Sequence, residues 1–354
     1  GSVSSMKTFI ELYAGIGVVR WALEQTGWTC LKANDISEKK ARVYHANFPD
    51  DGKLVLADVT TLPDDFFAGA DLISACFPCQ DFSRGGLKSG FSGTRSSTIL
   101  TVLQKIGKLS EGQKPKIILM ENVPGLLNDS AAMGQIMEHL GKAGFSNVDL
   151  RTIDAAHFVP QQRKRVFITA SRVAYKNCVN ESSSSNVIST VFVGVHPLPQ
   201  TQITLNDILE PVVSEQYQMS PKILETMNER HRAFLESLPE GQCRCVSIHG
   251  RSKVPRNSFC HVKLKDRAAC LKGSRQKVRL VYRSPNGMRV RRLTLRECAR
   301  LQGLEDAFKI PQDLSYTDLY AAFGEAVCSP VISFLDHHLL TPLCTGSTDL
   351  ENLC

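Results

Sequence analysis

The chain has 354 residues, of which 42% are hydrophobic and 22% are charged. This length and apolar content suffice for a buried core, and they fit one large domain or two unequal ones. No apolar run reaches membrane-spanning length and residues 1–30 show no signal-peptide pattern, so we expect an intracellular protein that does not bind membranes.

The cysteine content and the charge indicate the state of the thiols and the kind of partner. A large chain without a signal peptide is expected to keep its 12 cysteines as free thiols. The net charge of +7 favours an anionic partner. Between positions 244 and 292 the only acid is Asp266, and this near-absence of acids predicts a nucleic-acid surface. The basic residues there are Arg244, Arg251, Lys253, Arg256, Lys263, Lys265, Arg267, Lys272, Arg275, Lys277, Arg279, Arg283, Arg289, Arg291 and Arg292.

The first half of the chain alternates strand-like apolar runs with helical patterns. Strands are predicted at 8–13, 29–34, 54–57, 71–76, 116–120, 147–153 and 165–170. Helices are predicted between them at 18–26, 38–47, 97–108 and 131–143. Strands separated by helices indicate an α/β fold in which both faces of a parallel sheet are covered.

The pattern changes after Arg172. The polar segment 180–186 is typical of a linker or loop. Beyond it, short strands and scattered Pro and Gly predict an irregular region. Helical patterns return at 294–302 and 330–340, and the polar residues 346–354 are expected to form a mobile tail.

The N-terminal strand runs into the turn Ala14-Gly15-Ile16-Gly17, and a predicted helix follows. Such glycines let the backbone approach a ligand, and a helix N-terminus offers free N–H groups. Asp35 ends the second strand, where folds of this kind place a ribose-binding carboxylate. Asp58 ends the third, where it can accept a hydrogen bond from an adenine amino group. These features predict an adenosine-type site; the alternative is a structural turn with two capping residues.

The run Phe77-Pro78-Cys79-Gln80 follows a predicted strand, so it lies at the edge of the sheet where open α/β folds bind ligands. Cys79 is therefore a candidate nucleophile, whereas Cys76 and Cys298 are expected to be small buried residues. Glu121 follows the next strand and is expected at the same edge, where it can transfer protons.

Two arginines are candidates for the same edge. Arg163 and Arg165 alternate at strand spacing in Gln161-Gln162-Arg163-Lys164-Arg165, so we expect both to point one way. The alternative for each is an ordinary surface charge.

Five motifs now stand in a fixed order along the chain. They are Phe9-Ile10-Glu11-Leu12-Tyr13-Ala14-Gly15-Ile16-Gly17, Phe77-Pro78-Cys79-Gln80, Glu121-Asn122-Val123, Gln161-Gln162-Arg163-Lys164-Arg165 and Arg292-Leu293-Thr294-Leu295-Arg296-Glu297-Cys298-Ala299-Arg300-Leu301-Gln302-Gly303. In this order and spacing they resemble the AdoMet-dependent DNA (cytosine-5)-methyltransferases, with a layout similar to the compact bacterial modification enzymes. The resemblance runs from Thr8 to about Leu339, apart from a variable stretch at 175–288.

The resemblance implies a Rossmann-like AdoMet-dependent methyltransferase sheet with a smaller, irregular target-recognition domain. We expect a catalytic AdoMet-binding domain at 6–180 and a target-recognition domain at 181–303. Residues 304–345 are expected to return to the catalytic domain. The implied substrate is double-stranded DNA, bound by a monomer in the nucleus or in a bacterial nucleoid or cytoplasm.

The resemblance also implies catalytic roles. Cys79 attacks C6 of a flipped-out cytosine, and Glu121 contacts the N3/N4 edge and assists protonation. Arg165 holds O2, and Arg163 supports the loop or the intermediate. C5 then takes the methyl group of AdoMet, and loss of the C5 proton expels Cys79.

The expected cofactor-binding residues follow in the same way. They are Tyr13, Ala14, Gly15, Ile16, Gly17, Asp35, Ile36, Asp58, Val59, Pro78, Glu325 and Ala326. Two positions depart from the family pattern. Glu325 stands where the family has an asparagine near the cofactor, and Ile36 stands where it often has an aromatic residue.

Three alternatives remain open. A tRNA cytosine methyltransferase on the same scaffold would carry a Cys-Phe-Thr signature, which is not found here. A non-catalytic relative would have lost Cys79, Glu121 or Arg165, and all three are present. A structural zinc site among Cys243, Cys245 and nearby cysteines would have irregular spacing, so we expect no metal and free thiols.

Overall fold

The computed structural model describes residues 6–78, 97–173, 180–181, 189–191, 197–249, 259–273 and 277–346. The predicted nucleophile Cys79 lies outside the described residues. So does the predicted mobile tail, except for Gly346.

Fourteen strands and nine α-helices occur in the described ranges. The strands are β1 (Lys7–Leu12), β2 (Trp28–Asp35), β3 (Leu54–Leu56), β4 (Leu72–Ala75), β5 (Ile117–Asn122), β6 (Asn147–Asp154), β7 (Lys164–Ser171), β8 (Asn180–Glu181), β9 (Ser189–Val191), β10 (Gln218–Met219), β11 (Cys243–His249), β12 (Phe259–Val262), β13 (Arg279–Ser284) and β14 (Gly287–Arg292). The helices are α1 (Val18–Glu24), α2 (Glu38–Asn47), α3 (Thr98–Gly107), α4 (Ser130–Lys142), α5 (Glu229–Ser237), α6 (Leu295–Leu301), α7 (Tyr316–Glu325), α8 (Ser329–Leu335) and α9 (Thr341–Thr345). Every strand and helix predicted in the first half is present, with its ends shifted by at most two residues.

Side-chain caps fix where several helices begin. Ser37 accepts a hydrogen bond from the Lys40 N–H at the start of α2, and Asp129 accepts one from the Ala132 N–H at the start of α4. A reciprocal capping box starts α6.

The chain forms two compact units. The first comprises Gly1–Ile153, Lys164–Leu198 and Ser329–Cys354, and the second comprises Asp154–Arg163 and Pro199–Cys328. The functional domain boundaries expected at 180/181 and 303/304 stay predictions. The compact units divide the chain instead at 198/199 and 328/329.

A sheet in the order β3-β2-β1-β4-β5-β7-β6-β9-β8 organises the first unit, as far as its residues are described. β1 lies parallel to β2 and β4, and β4 lies parallel to β5, so these strands present their carboxyl ends at one edge. The expected parallel pairing has an exception at β7, which runs antiparallel to β5. The short connection 155–163 is the reason, because a parallel return needs a longer crossover.

The two faces of this sheet are buried differently. Alternate residues such as Ile10, Ile73 and Ile118 pack with α3 and α4 in one apolar core. The other set of alternate residues includes Glu11, Ser74 and Thr169, all buried polar side chains. One face of the sheet therefore carries polar groups in its interior.

The second unit contains an antiparallel sheet in the order β10-β14-β13-β11-β12. Its apolar side packs with α5 around Val246, Val262 and Val281. The tight β13–β14 hairpin turns at Gly287, whose φ of 105° is easy only for glycine.

The C-terminal helices of the first unit are held to its N-terminal strands by Asp336. This buried carboxylate accepts hydrogen bonds from Trp28 Nε1 (2.8 Å), Thr341 Oγ1 (2.7 Å) and Thr26 Oγ1. It begins the π-helical turn Asp336–Leu340 that links α8 to α9. Because a buried charge must be compensated, these donors fix the turn in place.

One helical stretch, Tyr316–Thr345, is long and apolar enough to cross a membrane by length and composition alone. Within the protein, 61% of its most apolar window is buried. Core helices of globular proteins pass the same test, so this stretch is weak evidence for a membrane span.

Candidate active site

The predicted reactive edge lies where β4 and β5, which are parallel neighbours, both end. Phe77 and Pro78 follow β4, and Glu121 is near the end of β5. Asn122, which is 2% exposed, donates from Nδ2 to the carbonyl oxygen of Phe77 at 3.3 Å. This bond ties the chain two residues before Cys79 to the strand that carries Glu121.

Glu121 and Arg165 form an ion pair at this edge. Glu121 Oε1 lies 3.2 Å from Arg165 Nε, and the two side chains are 10% and 17% exposed. The pair crosses from β5 to its antiparallel neighbour β7. Because both side chains are largely shielded from water, the pair keeps a strong local field, and the fraction that remains exposed leaves it accessible to a ligand.

Cys76, three residues before Cys79, does not have the properties of a nucleophile. Burial raises the pKa of Cys76 well above its ordinary value, and the charges of Glu121 and Glu11 raise it further, against a smaller lowering by the Ser74 hydroxyl. Burial likewise raises the pKa of Cys298. Both remain thiols near neutral pH, and only a thiolate attacks efficiently.

The turn after β1 has an unusual backbone. Tyr13, Gly15 and Gly17 have φ values of 52°, 57° and 87°. A Cβ on Gly17 would lie 2.4 Å from a ring carbon of Phe48, so both space and conformation require glycine there. The Tyr13 hydroxyl is fixed by Thr98 Oγ1 at 2.8 Å.

Asp35 holds this turn in place. Its Oδ2 accepts the Gly15 N–H at 2.7 Å, and its Oδ1 accepts the Ser37 N–H at 2.8 Å. The next residue, Ile36, is 71% exposed. The structural contact weighed as the alternative for Asp35 is therefore present. A carboxylate has lone pairs for further donors, so a ligand hydroxyl can still bind.

Asp58 likewise makes a structural contact and remains available to a ligand. Its Oδ1 accepts the Thr60 N–H at 2.9 Å and so caps the short turn Val59–Thr61. The Asp58 side chain nevertheless stays exposed. Its predicted contact with an adenine is compatible with this capping role.

Arg163 lies in the second unit, and its surroundings differ from those of Arg165. It precedes β7, so the expectation of strand alternation does not apply to it. Its guanidinium donates to the carbonyl oxygens of Leu271 (2.9 Å), Gly324 (3.1 Å) and Ala326 (2.6 Å). It thus contacts the backbone on both sides of Glu325.

The family model for C-5 cytosine-specific DNA methylases matches residues 7–340. The chain belongs to this family. It is a DNA (cytosine-5-)-methyltransferase whose cofactor is S-adenosyl-L-methionine.

Relatives of known type support this assignment across the whole methylase. The type II methyltransferase M.DsaV of Dactylococcopsis salina is 31% identical, covering 94% of this chain and 86% of the relative. M.HpaII of Haemophilus parainfluenzae is 29% identical, covering 95% of this chain and 90% of the relative.

Solved structures show the same fold. The Entamoeba histolytica methyltransferase EhMeth aligns with a TM-score of 0.69 at 17% identity, covering 97% of this chain and 99% of that one. Dnmt2 methyltransferase of S. pombe aligns with a TM-score of 0.63 at 18% identity, covering 96% and 99%. The methylase therefore has the predicted AdoMet-dependent methyltransferase fold.

The residues of the β1 turn fit this cofactor. The space beside the left-handed backbone of Gly15 is open, because a Cβ added there would meet no atom nearer than 4.0 Å. Asp35 and Asp58 offer acceptors, and Ile36 offers an exposed apolar side chain. A nucleoside with an amino-acid tail needs these three kinds of contact.

Some of the basic residues between positions 244 and 292 are buried and others are exposed. Arg291 is buried and paired with Glu297, and Arg244 is buried 3.7 Å from Asp266. Other members such as Lys265 are exposed. Part of the predicted nucleic-acid surface therefore stabilises the second unit instead.

Among the described residues, no three His, Cys, Asp or Glu side chains come together in a way that could hold a metal ion. Burial raises the pKa of Cys243 to about 11 and also raises those of Cys245 and Cys260. Protonated thiols are poor metal ligands.

Three residues with evident roles were missed from the sequence. Asn122, Gln161 and Gln302 are buried amides that bond to backbone groups. Each lies within a motif that carried the family resemblance. Their presence inside those motifs is the signal that could have identified them.

Proposed function

We propose that this methylase acts on a cytosine flipped out of duplex DNA, through a covalent bond between Cys79 Sγ and C6 of the base. The observation that carries the proposal is the Glu121–Arg165 pair, at the edge where the chain continues toward Cys79. Because C5 of cytosine is a weak nucleophile until a thiolate adds at C6, the reaction needs a nucleophile and a proton donor in one place. Flipping exposes the ring at a cost of a few kcal/mol.

The proposed reaction begins at the Cys79 thiolate. The Cys79 thiolate forms a bond to C6, and the displaced electron pair is delocalised to N3, where Glu121 delivers a proton. Arg165 donates to O2 and holds the ring. C5 would take a methyl group that AdoMet supplies when bound, and the sulfonium would leave as the thioether S-adenosylhomocysteine. Transfer of the C5 proton to water restores the C5–C6 double bond and expels Cys79 as thiolate, and the N3 proton returns to Glu121.

We assign the cofactor contacts as predicted from the resemblance. Tyr13 stacks on the adenine, and the backbone of Ala14 to Gly17 holds the methionine part. Asp35 contacts the ribose, with Ile36, Asp58, Val59 and Pro78 beside the adenosine and Glu325 and Ala326 completing the set. The left-handed turn and its anchoring by Asp35 support this assignment.

Duplex DNA is the proposed form of the substrate, bound by one copy of the chain in a bacterial cytoplasm or nucleoid. The excess of basic residues between 244 and 292 supports a polyanion surface. Both type II relatives named above come from bacteria, which supports this compartment rather than a nucleus.

The substrate is tested by incubating the methylase with tritiated AdoMet and either mixed-sequence DNA or total tRNA. We expect label on DNA. Label on tRNA alone would contradict the DNA assignment. Bisulfite sequencing of the product DNA then gives the target sequence.

The nucleophile is tested with a duplex that carries 5-fluorocytosine, which blocks the final elimination. The wild-type chain and Cys76→Ser should form a covalent adduct, and Cys79→Ser should not. Cys76 is a matched control because it lies three residues away and its pKa is raised by burial. An adduct that persists in Cys79→Ser and disappears in Cys76→Ser would reassign the nucleophile.

A further inference from the structure

Three buried side chains in the second unit form one hydrogen-bonded cluster. Gln161, Arg163 and Gln302 are 0%, 3% and 0% exposed. We call them the amide–guanidinium cluster. Gln161 and Arg163 come from one family motif and Gln302 from another, so the fold joins residues that are far apart in sequence.

Gln161 uses both ends of its amide. Its Oε1 accepts the Leu271 N–H at 3.0 Å. Its Nε2 donates to the Leu301 carbonyl at 2.7 Å and to Gln302 Oε1 at 3.2 Å. Gln161 therefore orients the Gln302 side chain.

Gln302 and Arg163 meet at the same backbone segment. Gln302 Nε2 donates to the carbonyl oxygens of Phe323 at 2.7 Å and Ala326 at 3.4 Å. Arg163 Nη2 donates to those of Gly324 at 3.1 Å and Ala326 at 2.6 Å. Helix α7 ends here, and the last carbonyls of a helix lack intrahelical donors. The two side chains supply those donors.

Close packing also restricts the same segment. A Cβ on Gly324 would lie 2.7 Å from the backbone carbon of Lys272, which cannot move aside easily. A Cβ on Gly273 would lie 2.5 Å from Glu325 Oε1. The segment 324–326 is thus bound by the cluster and packed closely against residues 272–273.

We infer that Arg163 and Gln302 are positioning residues for the backbone at 324–326 and that neither touches the target base. The inference deepens the proposed function, on which it rests for the cofactor role of Glu325 and Ala326. Both Nη atoms of Arg163 donate to carbonyl oxygens, so Arg163 is not positioned to bind the target base. Its motif neighbour Arg165 keeps that role.

A positioning residue and a residue that contacts the base differ in their expected kinetic effects. A residue that shapes a cofactor-binding segment changes the affinity for AdoMet in the ground state and in the transition state alike. Its loss raises the dissociation constant but leaves the rate at saturation almost unchanged. A residue that contacts the base has the opposite signature.

The test measures AdoMet binding by calorimetry, without DNA, and the single-turnover rate at saturating AdoMet and DNA. We expect Arg163→Ala and Gln302→Met to raise the AdoMet dissociation constant about 10-fold or more, and Arg163→Lys to raise it less. Single-turnover rates should stay within about 3-fold of wild type. If Arg163→Ala does not fold, as shown by circular dichroism, Arg163→Lys and Gln302→Met carry the test.

Arg296→Ala is the matched control. Arg296 also lies in the second unit and also donates to a carbonyl oxygen, that of Phe308, at 2.8 Å. AdoMet affinity should be unchanged in it. Equal losses in Arg296→Ala, or wild-type affinity with a rate about 100-fold lower in Arg163→Lys, would overturn the inference. Because the binding measurement contains no DNA, failure of the Cys79 chemistry would not affect it.

Discussion

Each unit contains a buried arginine–glutamate pair, and the two differ in what surrounds them. In the first unit, Glu121 Oε1 and Arg165 Nε form an ion pair at 3.2 Å, with side chains 10% and 17% exposed. In the second, Glu297 and Arg291 meet through two parallel bonds of 2.9 Å, with side chains 0% and 5% exposed. Glu297 also accepts the backbone N–H groups of Thr294 and Glu210.

The difference separates a carboxylate that stabilises the fold from one that we propose takes part in the reaction. Four donors saturate Glu297, which joins the start of α6 to two other segments. Nothing can approach it without breaking those bonds. Glu121 lies at a sheet edge that ligands reach. Removing each carboxylate should therefore damage a different property.

The largest effect is expected for Glu121→Gln. If Glu121 transfers a proton during the reaction, the single-turnover methylation rate should fall by about 10² to 10⁴-fold. The melting temperature should fall less than in Glu297→Gln, because this pair is more exposed than the Glu297–Arg291 pair. Glu111→Gln, at a surface ion pair of the same unit, is the control and should keep full activity. A rate within tenfold of wild type would remove Glu121 from the chemistry.

Glu297→Gln should instead destabilise the fold. Breaking a buried ion pair leaves an uncompensated arginine, at a cost of about 3–5 kcal/mol. Denaturant unfolding measures this loss. The double variant Glu297→Gln/Arg291→Met should recover part of it, because the orphaned charge is then gone. A loss below about 1 kcal/mol in the single variant would show that the saturated pair is not structural.

The sequence predicted the first unit better than the second. Alternating apolar runs and helical periodicity located the elements around the β1 turn, because each is set by local pattern. The direction of β7 depends on the short connection 155–163, whose length the alternation of strands and helices does not take into account. The five-stranded sheet was missed, although Asn286-Gly287 between two strand-like runs is a recognised hairpin signal.

The site was predictable only where neighbours in space are neighbours in the sheet. Glu121 could be placed beside the end of β4 because parallel strands end together. Arg163 could not be placed, since its carbonyl partners lie 108 to 163 positions away. Spacing within a motif says nothing about such contacts. From their spacing, Arg163 and Arg165 are therefore expected to point the same way, whereas the structure gives them different surroundings.

Asp35 combines features of Glu121 and Glu297. Its oxygens accept two backbone N–H groups, as in a structural carboxylate, yet it adjoins the β1 turn that we propose binds the cofactor. We expect Asp35→Ala to raise the AdoMet dissociation constant about 10-fold, with a small loss of stability. Calorimetry measures the affinity, and Asp51→Ala, an exposed turn carboxylate, is the control. Unchanged affinity would place Asp35 with Glu297 as purely structural.

Glu11 gives the most specific expected effect, because that effect depends on pH. Its Oε1 accepts the Arg20 N–H at 3.3 Å, but Oε2 is buried without a hydrogen-bond partner among the described residues. Burial raises its pKa from 4.5 to about 8, partly opposed by Arg20. The folded protein therefore keeps this proton at a pH where the unfolded chain has released it.

The sign of the pH effect follows from that shift. The stability contributed by Glu11 is fully present below about pH 4.5 and is lost as the pH rises through about 8. Glu11→Gln stays neutral, so its stability relative to wild type should increase from pH 5 to about pH 8, by up to about 1.4 kcal/mol per pH unit, and its melting temperature should rise relative to wild type accordingly. Glu38→Gln, on the exposed first turn of α2, should show no such trend. A constant difference between wild type and Glu11→Gln across this range would mean that Glu11 is ionised in the folded protein, and that the buried face of the sheet supplies a compensating donor.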